Sequence, residues 1–296
     1  MPVTDAALDS TEVSFTADGL RYAGLEWRNP QGPVILALHG WLDNALSFSV
    51  LAPFLQDFRF IALELSGQGF SDHRSPDATY HIWDDIPQLL MIVDQLGVEQ
   101  VSVIGHSRGA AIATLLASAL GSKCDALVLL DGMLPVPVNE LSAPEQFRHA
   151  QKDHLNLERY TPRRFPDVEA FVIARQKLGF SRESARALAP RALRQCDDGL
   201  ELAHDPRLNH ASAIKLTSAM CESFYRDVTA PSLLFMAEEG LSSRLGAGSA
   251  EDAAALMNHC VLESMPGGHH SHMEQGASVI GPRIAQFIGQ QVERVA

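Results

Sequence analysis

Cysteine is scarce: four residues in 296 (Cys124, Cys196, Cys221, Cys260), widely spaced and without a CxxC pair. A disulfide framework or a zinc knuckle needs tighter paired spacing, so these read as free thiols of a reducing compartment. Long apolar runs are missing too. The richest candidate, Ala110 to Leu120, is broken by Thr114 and Ser118 and falls well short of the ~18 residues a membrane span needs. The opening Met-Pro-Val-Thr-Asp-Ala-Ala-Leu-Asp-Ser has no basic segment leading into an apolar one, so no secretory signal is expected and the location reads as cytoplasmic. Positive charge is in deficit, 23 Lys+Arg against 36 Asp+Glu, a net charge of −13. Nucleic acid requires a basic face and an anionic membrane repels an acidic chain, so neither is an expected partner.

Apolar residues are plentiful, 46% of the chain, enough to build a core without a staple. Short apolar runs alternate with longer helical patterns. Val34 to Leu38, Phe60 to Leu63, Val101 to Ile104, Leu127 to Leu130 and Leu233 to Met236 read as buried parallel strands. Helices are expected over about Ser47 to Gln56, His81 to Leu96, Arg108 to Leu120 and Ala277 to Val295. This alternation implies an α/β fold, a mostly parallel sheet covered on both faces. Val13 to Phe15 and Leu20 to Trp27 read as an antiparallel hairpin at its edge. The alternation breaks over 134–211, where amphipathic patterns such as Val168 to Leu178 and Ser184 to Leu193 predict a helical insertion without a buried strand. That segment holds 12 Lys+Arg and 11 Asp+Glu, net +1, leaving 11 bases and 25 acids, net −14, for the rest. The acidity therefore belongs to the sheet domain, residues 1–133 and 212–296, and does not repel an anion from the insertion.

The strongest chemical signal is Gly105-His106-Ser107-Arg108-Gly109, a G-x-S-x-G between an apolar strand and an Ala-rich helix. The turn is so tight that bulk beside the serine clashes. It strains Ser107 and exposes its hydroxyl, while the helix offers N-terminal amides to a developing oxyanion. One of these amides belongs to Arg108, directly after the nucleophile. The base is expected late in the chain, where Gly267-Gly268-His269-His270-Ser271-His272 follows a strand pattern. A metal site on these histidines is disfavoured, because they lack helical i, i+4 pairing and a carboxylate partner.

Together with Leu38-His39-Gly40-Trp41-Leu42-Asp43-Asn44, Gly67-Gln68-Gly69-Phe70-Ser71-Asp72 and His204-Asp205-Pro206-Arg207-Leu208, these motifs resemble the α/β-hydrolase fold with a cap, and within it the serine hydrolase-like group. The resemblance spans nearly the whole chain. It implies an eight-stranded, mostly parallel sheet flanked by helices, a helical cap at 134–211 and a cofactor-free, metal-free site. It implies His269 as the base, through a G-H-x-x-x-x-E pattern ending at Glu274. Trp41 is the second oxyanion donor through its backbone N–H, and its side chain is a candidate wall of an acyl pocket. The acid has two places in this fold. At the first, after Leu233 to Met236, the sequence Ala237-Glu238-Glu239-Gly240 has glycine where aspartate is usual. The second is Asp131, at the end of the strand after the nucleophile helix. Asp131 is the first choice and Glu238 or Glu239 the alternative. Glu64 and Ser66 also depart from the fold's D-x-P-G-x-G-x-S-D turn, which is structural and no dinucleotide fingerprint.

The expected activity is hydrolysis of a carboxylic ester on a small acyl substrate. Thioester, lactone, amide or C–C cleavage, or a lyase reaction on the same residues, are the alternatives; a non-catalytic receptor is disfavoured by the intact Ser107 and His269. The oligomeric state is not written in these motifs.

Overall fold

The computed structural model describes residues 10–27, 29–157, 163–241, 249–257 and 259–295. The first nine residues, on which the absence of a signal was read, lie outside that set. The described chain opens on an antiparallel hairpin, β1 (Ser10–Ala17) and β2 (Leu20–Trp27). Asp18 and Gly19 both take positive φ at its tip, the geometry that lets a two-residue turn follow the strand twist. β3 (Val34–Leu38), β4 (Arg59–Leu63), α1 (Ile86–Gln95), β5 (Val101–His106), α2 (Arg108–Leu120) and β6 (Cys124–Leu130) follow. The inserted segment carries α3 (Ala143–Asn156), β7 (Arg164–Phe165), α4 (Val168–Gln176), α5 (Arg182–Ala192), β8 (Leu193–Cys196) and β9 (Gly199–Leu202). α6 (Ser218–Asp227), β10 (Ser232–Glu239), α7 (Ser249–Leu256), β11 (Cys260–Gly268) and α8 (Ala277–Val295) complete the chain.

The main sheet runs β1-β2-β4-β3-β5-β6-β10-β11. Only the pairs β1–β2 and β2–β4 are antiparallel. Alternate side chains of each central strand enter opposite layers, as the two-residue strand period requires. Leu36 and Leu38 join Leu127 and Leu129 under α1, α2, α6 and α7, whereas Ile35, Ala37, Val128 and Leu130 pack on the other side with Ile280, Ile284 and Ile288 of α8. Burial on both faces explains why these strands are continuous apolar runs. Their carboxyl ends all open on one edge, which carries the loops after β3, β5, β6, β10 and β11.

Between β6 and β10 the chain adds no strand to this sheet among the described residues. It is not purely helical, however: β7, β9 and β8 form a second, three-stranded antiparallel sheet, contrary to the sequence expectation. Those strands are two to four residues long and half-exposed, so they leave no buried apolar run to read. Phe165, Phe171, Val172, Phe180 and Leu188 give the segment its own small core. Two buried ion pairs fasten it to the main domain. Arg191 of α5 donates from Nε and Nη2 to the two carboxylate oxygens of Glu64, at 2.6 and 2.9 Å. Arg175 of α4 donates to Asp43 at 2.5 Å. Asn44 Nδ2 adds a bond to the Leu188 carbonyl at 2.9 Å. Within the His204–Leu208 motif, Asp205 accepts from the Tyr80 hydroxyl at 2.8 Å and Arg207 donates to the Arg74, Ser75 and Ala78 carbonyls, clamping the loop after β4.

Two expected helices are shorter than their patterns. Ser47 to Gln56 resolves into two 3₁₀ turns, Ala45–Phe48 and Ala52–Phe54, because Pro53 has no N–H for a continuing helix. The pattern from His81 becomes α1 only at Ile86, where Pro87 fits the first turn; proline disfavours helical geometry before it. The helices α6 and α7 were not expected from the sequence.

Candidate active site

Ser107 sits between β5 and α2 with φ 52° and ψ −118°, a conformation costly for any residue with a Cβ. It is the N-cap of α2, yet its side chain makes no capping bond, so its hydroxyl remains free to act elsewhere. The close approach depends on Gly109, where a Cβ would lie 2.1 Å from the Leu38 carbonyl oxygen. The bend turns the Ser107 hydroxyl toward the end of β11. There His269 Nε2 lies 2.9 Å from Ser107 Oγ, and His269 Nδ1 lies 2.5 Å from Asp131 Oδ2. The His269 side chain is one-quarter exposed and Asp131 is fully buried.

The backbone holds the Asp131 carboxylate. Ala237 N–H donates to Oδ1 and Leu241 N–H to Oδ2, each at 2.9 Å. Gly240, standing where the fold's usual aspartate was missing, explains the substitution. A Cβ there would lie 2.3 and 2.5 Å from the two carboxylate oxygens of Asp131. The space of one side chain is thus filled by the carboxylate from the neighbouring strand end. Glu238 and Glu239 are exposed and no hydrogen bond joins either side chain to His269 among the described residues.

The profile of the alpha/beta hydrolase fold family matches residues 33–275. The chain belongs to the α/β-hydrolase fold family. It is 28% identical over 268 residues to the serine hydrolase-like protein of Danio rerio, covering 86% of this chain and 82% of that one. It is also 28% identical over 272 residues to human serine hydrolase-like protein 2, covering 86% of each. A hypothetical protein from Pseudomonas aeruginosa superposes with a TM-score of 0.89 at 35% identity, covering 94% of this chain and 99% of that one. The thioesterase domain of the curacin biosynthetic pathway superposes with a TM-score of 0.83 at 21% identity, over 94% of this chain and 99% of its own, which shows the shared fold. The protein is accordingly an α/β hydrolase of the serine hydrolase-like group. No helix among its described residues is long and apolar enough to cross a membrane.

In this hydrolase the backbone N–H groups of Trp41 and Arg108 make no backbone hydrogen bond among the described residues. Both stand at the carboxyl edge, after β3 and at the start of α2. The Trp41 side chain is 47% exposed, so it is no core residue, and its Nε1–H donates to the Leu208 carbonyl at 2.9 Å. The Arg108 guanidinium donates to the Tyr80 carbonyl at 2.8 Å. Glu274, the end of the histidine motif, makes no hydrogen bond to His269 among the described residues; its carboxylate accepts from Ser181 N–H and Ser184 Oγ, both at 3.1 Å, tying the insertion to the loop after β11.

Sequence reasoning assigned no role to His106, Asp43, Arg175 or Phe180. His106 Nε2 lies 2.9 Å from the His269 carbonyl oxygen. Asp43, His106 and His270 bring their donor atoms within 4.8 Å of one another, the only such metal-like group among the described residues. Arg175 already bonds that carboxylate, so a cation there would face a fixed positive charge. The available signal for Arg175 was its spacing, four residues after Phe171 on the buried face of an apolar helix.

Burial lowers His39, His106, His270 and His272 below the ordinary histidine value of 6.5, with the nearby imidazoles adding to the effect on the last three. The folded chain keeps these rings neutral while the unfolded chain protonates them near pH 6.5, so stability present above that pH is lost as pH falls through it. Asp43 and Asp125, raised by burial, act in the opposite sense, in a more acidic range. Urea unfolding should therefore be flat from pH 7 to 8.5. It should weaken steadily below about pH 6.5, by up to about 1.4 kcal/mol per pH unit for each ring. A profile flat down to pH 5 would contradict this reading.

Proposed function

We propose that the chain is a cofactor-free serine hydrolase that cleaves a carboxylic ester through a Ser107–His269–Asp131 triad. The observation supporting this reading is the unbroken line of hydrogen bonds from Asp131 through His269 to the uncapped hydroxyl of Ser107. Ser107 Oγ attacks the ester carbonyl carbon as its proton passes to His269 Nε2. The negative charge on the carbonyl oxygen faces the N–H groups of Trp41 and Arg108, and Asp131 stabilises the imidazolium. Collapse expels the alkoxide, which takes the proton from Nε2 and leaves as the alcohol. A water molecule then attacks the acyl-enzyme, its proton going to Nε2. Release of the carboxylic acid returns that proton to Ser107. Residues 134–211 act as a cap over this edge of the sheet, and the small-molecule acyl substrate enters between cap and sheet domain.

Turnover of p-nitrophenyl esters of graded chain length, beside thioester and amide substrates, tests the proposal. The esters should turn over, and Ser107→Ala should lose at least about 10⁴-fold in kcat. Equal turnover by Ser107→Ala would refute the nucleophile, and turnover confined to thioesters or amides would refute the ester assignment.

A further inference from the structure

The side chain at the second position of the nucleophile elbow is free to vary in the motif, so a buried polar group there needs its own explanation. His106 is fully buried, and its one side-chain hydrogen bond among the described residues goes from Nε2 to the His269 carbonyl oxygen at 2.9 Å. A carbonyl oxygen only accepts, so the proton of neutral His106 is on Nε2. Its Nδ1 is then bare and unpartnered, 3.8 Å from Asp43 Oδ2. An apolar residue would avoid that unsatisfied nitrogen, whose burial without a partner destabilises the fold. What the imidazole supplies in exchange is a rigid donor that grips the backbone of the residue carrying the base.

The inserted segment packs on the residue next to His269. The Phe180 ring stacks on His270, the next residue after His269, with centroids 3.5 Å apart and planes inclined by 20°. The Arg175 guanidinium lies 4.1 Å above the Phe180 ring and bonds Asp43, which faces His106. Ser107 and Asp131 hold the imidazole of His269; His106 holds its carbonyl group, and Phe180 packs on the ring of the next residue, His270.

We propose that His106 is a positioning residue for His269, and that Phe180 of the inserted segment completes this support. The proposal rests on the reading of His269 as the general base. A displacement of about 1 Å in a reacting group is enough to cost about 100-fold in rate.

The test compares His106→Leu, His106→Gln and Phe180→Leu with the wild type. It follows kcat and KM on p-nitrophenyl acetate, together with the downfield proton resonance of His269 Nδ1 facing Asp131. His106→Leu should lose about 100-fold in kcat with KM within about twofold, and its resonance should broaden or vanish. His106→Gln, which retains an N–H at similar reach, should recover most of both. Phe180→Leu should lose about tenfold in kcat with KM unchanged and carries the test alone if the His106 variants fail to fold. A folded His106→Leu with wild-type kcat and resonance overturns the proposal. So does a loss expressed in KM, or a His106→Gln no better than His106→Leu when both fold, or a Phe180→Leu with wild-type kcat. Wild type inert toward both the ester and a fluorophosphonate would overturn the hydrolase reading instead, and the resonance would then decide the role of His106 by itself.

Discussion

Asp131→Asn lowers kcat on an ester substrate by about 10⁴-fold, whereas Glu238→Gln and Glu239→Gln leave it near wild type. The size of the effect follows from the donors around the carboxylate. Ala237 N–H, Leu241 N–H and His269 Nδ1 converge on its two oxygens. An asparagine has one acceptor oxygen and one donor nitrogen. Whichever way it turns, it sets an N–H against a backbone N–H, or against His269 Nδ1. With the nitrogen in the place of Oδ2, it donates to His269 Nδ1, and the histidine keeps its proton on Nε2 and cannot receive that of Ser107. Glu238 and Glu239 are exposed, and their charge is screened by solvent. The close approach of Gly240 to Asp131 adds a sharper form of the test. Gly240→Asp in an Asp131→Ala background should regain part of the lost turnover. Steady-state kinetics on folded variants measures each effect, and a mild Asp131→Asn beside a crippled Glu238→Gln or Glu239→Gln would reverse the assignment.

The largest effect on stability falls elsewhere. Glu64→Ala should destabilise the protein by about 3–5 kcal/mol, read from urea unfolding, because it leaves the buried Arg191 guanidinium beside an empty site with the exposed Glu12 as its remaining carboxylate partner. Glu64 is fully buried and accepts from Arg191 twice and from Phe70 N–H at 2.7 Å. The pair bridges the loop after β4 and α5 of the insertion, so its loss should also loosen the inserted segment and raise susceptibility of 134–211 to limited proteolysis. A change under 1 kcal/mol with unchanged proteolysis would show that the pair contributes no more than a surface ion pair.

The sequence made the buried strands, the elbow and the late histidine legible because each obeys a local rule. An apolar run bounded by turns reads as a strand, and Gly105 and Gly109 mark a turn with no room for side chains. What stayed hidden depends on contacts across long stretches of chain. Arg191 meets Glu64 from 127 residues away, so the glutamate appeared only as a departure from a motif. The missing aspartate at Gly240 looked like a gap until Asp131 was seen filling its space. Strands β7, β8 and β9 escaped notice because short, half-exposed strands carry no burial pattern. His106 was hidden in plain view: its position in the motif is known from local sequence, but its partner is a carbonyl group 163 residues later.

The central claim is that Ser107 is a nucleophile activated by His269. Its most direct measurement is intact-protein and peptide mass spectrometry after reaction with a fluorophosphonate. The account predicts one stoichiometric adduct on the peptide containing Ser107, none in Ser107→Ala, and strongly slowed labelling in His269→Ala. An unlabelled wild type, or equal labelling of Ser107→Ala, would contradict it.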